Sequence, residues 1–529
     1  MFWAPVLVLF ALFFYYFLYK PQLYWFNKNV KQGPPVPIFG DNLRLLLKQD
    51  SFQDMIVTVY NRFKNARYCG FYQTTLPTLM IRDPNLIKQL TVKDFDHFVD
   101  HRPLTPQHVD PLWGYNLFAL NGDDWKQMRA TLSPTFTSSK MRSMFMLMEK
   151  SAKQYVDFYL KKNQKVIDVE LKESFSRIAN DVIANCAFGL TVDSLKDPNN
   201  DFYINGKDAT NLGRFSTNMV FWLNTISPKI SSALNLRMFS KKSTDFFKKI
   251  ADDTIRYREE KNIIRPDVVH LLMEARKGRL RYDESSKTQD AGFATVEESD
   301  YGKIQSTKKM EFTDVEVAAQ MFVFFFGGFD TISTMMSFTF YELALHPEIQ
   351  AKLRQEVDEV YEKNKGQLSY DILNGMKYLD MTVTESLRLH PPANFIDRLC
   401  TKEYTIKPEH PDEHPVHLKP GDSIWVPVVA LHYDEKHYQN PTVFDPERFS
   451  DENKDLVKPY TYLPFGSGPR NCIGSRFALM EVKVLIYHIL RNFELTVIDR
   501  TTVPLKLVKG MVNRCVEGGF WIGMKQRAV

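Results

Sequence analysis

The sequence predicts a mainly α-helical body with small β-sheets, preceded by one N-terminal transmembrane helix. Three observations carry this expectation. Apolar residues recur at helical spacing through most of the middle of the chain, as in Lys140 to Leu160, Phe175 to Phe188 and Thr244 to Tyr257. Stretches with strand character are few and short: Thr78–Ile81, Ile424–Val426 and the tail around Phe520–Met524. Residues Phe2 to Tyr19 contain no charged side chain.

That first run is long enough to act as an anchor. Eighteen helical residues span about 27 Å, near the hydrocarbon thickness of the endoplasmic reticulum membrane. Lys20, Lys28 and Lys31 follow, so the positive-inside rule leaves the rest of the chain in the cytosol. A cleaved signal peptide and an apolar start to a soluble helix are the alternatives. The length of the run and the lack of an A-x-A-like site favour an uncleaved anchor. A mitochondrial presequence would be Arg-rich and amphipathic, which this run is not. Gly33-Pro-Pro-Val-Pro37 is then a stiff, non-helical connector. The expected division is an anchor over 1–20, a linker and proline-rich hinge over 21–40, and the main body over 41–529.

Composition fits a globular interior: 44% hydrophobic and 25% charged residues, with 40 phenylalanines that point to an aromatic core. A net charge of +5 is too mild and dispersed for nucleic acid. The five cysteines (69, 186, 400, 472 and 515) are odd in number and widely spaced. They imply no disulfide framework and suit a reducing compartment.

Residues 277–310 are rich in charge, Ser, Thr and Gly and read as an exposed loop. Thr313-Asp-Val-Glu316 has the form of a capping box. It opens a long apolar helix that runs toward His346, where Pro347 stops it. Inside that helix stands Gly327-Gly-Phe-Asp-Thr331. Two interior glycines cost about 1 kcal/mol each relative to alanine, so a groove for a ligand is one compensation. Helix packing through small residues is the other, with Thr331 bonding back to its own helix.

Glu385 and Arg388 lie three apart, on one helical face. Read alone they make a surface pair worth a few tenths of a kcal/mol. Trp125 and Arg129 stand one turn apart. An arginine fork suits paired bonding to carboxylates.

The most specific segment is Phe465-Gly-Ser-Gly-Pro-Arg-Asn-Cys-Ile-Gly474. It places Cys472 in a glycine-rich turn ahead of a helical stretch, Phe477 to Leu490. A helix N-terminus favours a thiolate there. No C-x-x-C or Cys/His cluster supports zinc, and no papain-like signature supports a nucleophile. A lone cysteine is otherwise a small buried hydrophobe.

With Phe465 and Arg470 in place, this segment resembles the heme-binding loop of the cytochromes P450, F-x-x-G-x-R-x-C-x-G. The resemblance implies a heme-thiolate monooxygenase of the P450 fold, with heme b held by the Cys472 thiolate. Gly327 to Thr331 resembles the family's oxygen-binding kink. Asp330 and Thr331 would then be the catalytic pair that handles dioxygen and its protons. Ile332 departs from the Thr or Ser of many members. Glu385 and Arg388 resemble the E-x-x-R motif, joined by Arg448 of Pro446-Glu-Arg-Phe449 in a structural cluster. Trp125, Arg129, Arg470 and Arg398 resemble the residues that hold the heme propionates. His101 stands where relatives often carry Arg and is left out of the expected site.

These motifs must meet at one cofactor, so the body is expected to be one domain. Phe118, Phe326, Ala393, Asn394 and Phe395 are expected to line an apolar substrate pocket. The Asn218–Ile230 stretch, with Phe221 and Trp222, would touch the membrane surface; a buried helix is the other reading.

The stretch Trp125 to Arg142 is similar to insect microsomal P450s related to the vertebrate 3A subfamily. Such enzymes oxidise lipophilic compounds, insecticides or plant toxins among them. The chain has no flavin, nicotinamide or iron–sulfur fingerprint. The resemblance therefore implies electrons from NADPH–cytochrome P450 reductase, with cytochrome b5 as a second donor, at the endoplasmic reticulum membrane. Lys126 and Lys483 are candidate docking charges for these partners. A reductase-independent peroxide-rearranging enzyme and a non-catalytic heme sensor or carrier are the rival readings.

Overall fold

The computed structural model describes residues 3–211, 213–226, 228–278, 292–296 and 312–528. The loop expected over 277–310 lies outside them, apart from its first two residues and 292–296.

One helix organises the body. Asp314–Leu345 runs through the core, opened by the expected capping box: the Thr313 hydroxyl accepts from the Glu316 amide, and the Glu316 carboxylate accepts from the Thr313 amide. Helices Leu171–Ile183, Lys241–Lys261, Lys377–Leu389 and Ser475–Asn492 pack against it. The phenylalanine content is spent in this interior, with Phe247 and Phe325 rings at 4.6 Å and Phe175 and Phe340 rings at 4.8 Å. Ser138–Leu160 closes one side.

Among the described residues, three small sheets complete the body. The largest has strands Tyr68–Gln73, Leu76–Ile81, Ser423–Val426 and Ile396–Leu399 in that order. Its central pairing, Leu79 beside Ile424, is parallel and joins segments over three hundred residues apart. A three-stranded sheet sets Trp521–Gln526 between Val166–Glu170 and Phe493–Thr496. The tail strand thus starts one residue later than expected. Tyr404–Ile406 pairs with Val416–Leu418.

At the N-terminus, the 21-residue helical stretch Trp3–Leu23 has none of its apolar window buried. Asp314–Leu345 also has membrane-like length and composition, but 56% of its window is buried, as befits a core helix. The chain beyond Trp3–Leu23 is fastened at once to the large sheet. The Gln22 amide donates to the Val36 and Thr74 carbonyls at 2.6 and 3.2 Å. The Tyr24 hydroxyl donates to Asp422 at 2.7 Å. Trp25 is fully buried and lies on Gly70, where an added Cβ would come within 2.4 Å of the indole. Gly70→Ala should therefore overpack this seat and cost about 1–3 kcal/mol. A lower denaturant midpoint for the purified variant is the expected result; an unchanged midpoint would mean that the indole does not sit there.

Candidate active site

The cysteine loop is shaped by close approach. Gly468 has φ +71° and its Cβ position lies 1.8 Å from the Thr91 carbonyl oxygen, so only glycine fits. Beside it, the Ser467 and Thr91 hydroxyls meet at 2.9 Å. The Cys472 amide donates to the Phe465 carbonyl at 2.8 Å, closing the loop two residues ahead of Gly474, the N-cap of helix Ser475–Asn492.

Cys472 is accessible, yet burial pushes its thiol up. The space it meets is therefore walled by protein. The Gly474 amide and the Arg129 charge pull the other way without offsetting burial. Burial thus outweighs the helix terminus, which was expected to favour a thiolate; a bound metal would displace the proton.

Three arginines are buried around the loop. Arg129 grips Asn471, donating to its carbonyl at 2.8 Å and its side-chain oxygen at 2.7 Å. It fixes the residue next to Cys472. The Arg470 guanidinium lies 4.7 Å over the Trp125 ring and donates to the Phe118 and Leu120 carbonyls. Arg398 donates to the Asp397 carbonyl at 2.7 Å. The Nε atoms of Arg398 and Arg470 are buried with no hydrogen-bond partner among the described residues. Burial pulls Arg398 down to about 10; burial and then the Arg398 charge pull Arg470 down to about 9. The nearby Asp397 carboxylate is already engaged, 2.8 Å from His101 Nδ1 and 2.9 Å from the Arg102 amide. A buried surplus of positive charge with unused N–H groups is unfavourable by itself. It fits a ligand that brings carboxylates, as the propionates of heme would.

The long helix presents an accessible stripe. Gly327 and Thr331, one turn apart, are exposed in a helix whose flanking positions are mostly buried. A Cβ at Gly327 would meet nothing within 4 Å, whereas one at Gly328 would fall 2.8 Å from the Ile183 side chain. Gly327 thus borders open space, whereas Gly328 packs against Ile183. The Thr331 hydroxyl donates back to the Gly327 carbonyl. Asp330 is held by Lys172, whose ammonium lies 2.8 Å from its carboxylate and also donates to the Ser333 and Thr334 hydroxyls, both at 2.7 Å. The only sequence signal for Lys172 is a cation in the first turn of helix Leu171–Ile183, where the dipole disfavours it. Ring contacts from Phe118 to Trp113 (5.7 Å) and from Trp113 to Phe326 (5.2 Å) link the Arg470 side to this stripe.

Glu385 and Arg388 are both fully buried, which corrects the surface-pair reading. Their fork is bidentate at 2.7 and 2.8 Å. Arg388 also donates to the carbonyls of His432, Pro441 and Val443, while Arg448 reaches Glu385 at 3.4 Å.

Of the expected pocket residues, Phe118 and Phe395 meet in a cavity of about 190 Å³, with Phe52, Phe221, Trp425 and Arg102 also in its wall. Phe395 stacks on Trp425 at 3.7 Å. Phe326, Ala393 and Asn394 do not line it. Phe326 packs on Trp113 and Phe239, and Asn394 is buried with its carbonyl accepting from the Val429 amide. Phe52 and Trp425 escaped sequence reasoning because the two lie more than 370 residues apart in the chain, one on a helix and one on a strand. Phe221 and Trp222 turn partly inward; among the described residues of this region, Met219, Ile230 and Leu234 are exposed apolar side chains. Lys483 is fully buried against Asp380 at 2.8 Å and offers no charge to a partner. Lys126 is partly exposed and paired with Asp96 at 3.1 Å.

The accessible loop cysteine and the buried arginines around it fit a heme-dependent oxidoreductase. The chain matches the cytochrome P450 family over residues 31–516 and belongs to it, which makes it a P450 monooxygenase. It is 45% identical to Cytochrome P450 9e2 of Blattella germanica over 95% of this chain and 93% of that one. It is 40% identical to Probable cytochrome P450 9f2 of Drosophila melanogaster over 95% and 94%. With Cytochrome P450 6k1 of Blattella germanica it shares 39% identity over 92% and 89%.

Proposed function

We propose that this P450 inserts one oxygen atom from O2 into lipophilic substrates, xenobiotic or endogenous, at the cytosolic face of the endoplasmic reticulum membrane. Its electrons come from NADPH through cytochrome P450 reductase, with cytochrome b5 as an accessory donor. The observation that carries the reading is the buried surplus of arginine charge beside an accessible loop cysteine. Cys472 would hold heme, which would supply the activation of O2. Arg470 and Arg398 would neutralise its carboxylates, Trp125 backs Arg470, and Arg129 with Phe465 keeps the loop in shape. On the accessible stripe of the long helix, Thr331 offers a hydroxyl whose hydrogen bond can leave the Gly327 carbonyl for a ligand. Asp330, oriented by Lys172, is the neighbouring acid that would relay protons toward that hydroxyl. The aromatic wall of Phe118, Phe221, Phe395 and Trp425 selects apolar compounds. The exposed Trp3–Leu23 helix supports anchoring in the membrane.

The test is turnover of the full-length protein with NADPH and reductase across a panel of lipophilic compounds, with products identified. Oxygenated products that require both additions are the expected result. Turnover with a hydroperoxide alone would favour peroxide rearrangement. No product across the panel would favour a heme sensor or carrier.

A further inference from the structure

The Glu385–Arg388 pair does not touch the cysteine loop in any contact described above, so something must carry its rigidity there. We infer that His432 is the positioning residue that does so, by accepting at Nε2 a hydrogen bond from the Leu463 amide while its Nδ1–H is held by the Arg388 carbonyl. The two bonds are 2.9 Å each. A carbonyl only accepts and an amide N–H only donates, so the tautomer is dictated: the proton is on Nδ1 and the lone pair on Nε2.

His432 is fully buried and sits between the two halves of the site. On one side its own carbonyl takes the Arg388 guanidinium at 2.9 Å, so Arg388 and His432 are joined twice. On the other, Leu463 stands two residues before Phe465, whose carbonyl receives the Cys472 amide. A continuous path thus runs from Glu385 through Arg388, His432 and Leu463 to the Cys472 backbone. An imidazolium would turn an N–H toward the Leu463 N–H and break this path. Burial, then the Arg388 charge, holds the ring neutral by pulling it down to about 3. The competing role is packing alone, because the ring also stacks on Tyr462 at 5.4 Å and 12°.

This inference rests on Cys472 binding heme. The experiment compares purified, heme-loaded wild type with His432→Gln, His432→Asn and His432→Phe. It reads the ratio of thiolate-type to non-thiolate bands in the reduced-CO spectrum, and amide exchange over residues 461–472. Gln places an acceptor near Nε2; Asn places only a donor, near Nδ1; Phe keeps the stacking ring with neither. The expected result is a near-normal ratio for Gln, with Asn and Phe lowered about tenfold or more and exchanging faster at Leu463. A normal ratio in Phe overturns the inference in favour of packing. Gln failing as badly as Asn, whether by band ratio or by not accumulating as folded protein, overturns it as well. A wild type without any thiolate-type band would instead defeat the heme reading itself, which keeps the two failures distinct.

Discussion

Arg388→Ala should yield protein that does not retain heme, and Glu385→Ala should do nearly the same. Both side chains are fully buried, and removing one member of a buried pair costs about 3–5 kcal/mol. That is a large part of the roughly 5–15 kcal/mol that holds a domain together. The arginine should be the worse loss. It serves the Glu385 carboxylate and the carbonyls of His432, Pro441 and Val443; Glu385 would be left with the Asp445 amide and Arg448. After Glu385→Ala the guanidinium keeps its three carbonyls but loses its counter-charge. Heme-to-protein ratio and denaturant midpoint measure both effects. Normal heme content in either variant would remove the pair from the frame of the site. Replacing both residues by apolar ones of similar volume should restore part of the stability but not the bond to the His432 carbonyl.

Cys472→Ala should have the opposite profile: a site lost and a fold kept. The side chain is accessible and its backbone bond to Phe465 does not depend on the thiol. Stability should change by less than about 1 kcal/mol. The reduced-CO spectrum should lose its thiolate-type band entirely, and turnover with NADPH and reductase should vanish. Persistence of the band would assign the ligand to another residue. The contrast between these variants separates the residue that bonds the metal from those that hold the loop.

Local features of the site were readable in the sequence because their spacing carries them. The capping box at Thr313, the extent of the long helix, and the glycines that shape the Cys472 loop all depend on neighbours within a turn or two. Glu385 and Arg388 could be placed on one face, but their burial could not, since it depends on segments 40 to 60 residues away. Lys172 and His432 were missed for the same reason: each acquires its role from a partner on a distant element. Lys483 looked like a surface charge because the composition of its helix does not say which face turns inward. The helix-terminus argument for Cys472 is local, whereas the burial that acts against it is a property of the whole wall around it.

The seat of Trp25 on Gly70 bears on how the molecule stands in lipid. Gln22, Tyr24 and Trp25 engage the sheet at the very end of Trp3–Leu23, leaving no slack chain between helix and body. A flexible tether would let the body swivel, with a reach that grows with the square root of its length. Anchored in a bilayer as proposed, the helix would act as a mast stepped into the sheet that carries Trp425, on which Phe395 stacks. The tilt of that mast in the bilayer would therefore set the height at which the aromatic cavity opens, and a membrane of different thickness would change which depth of lipid the enzyme samples.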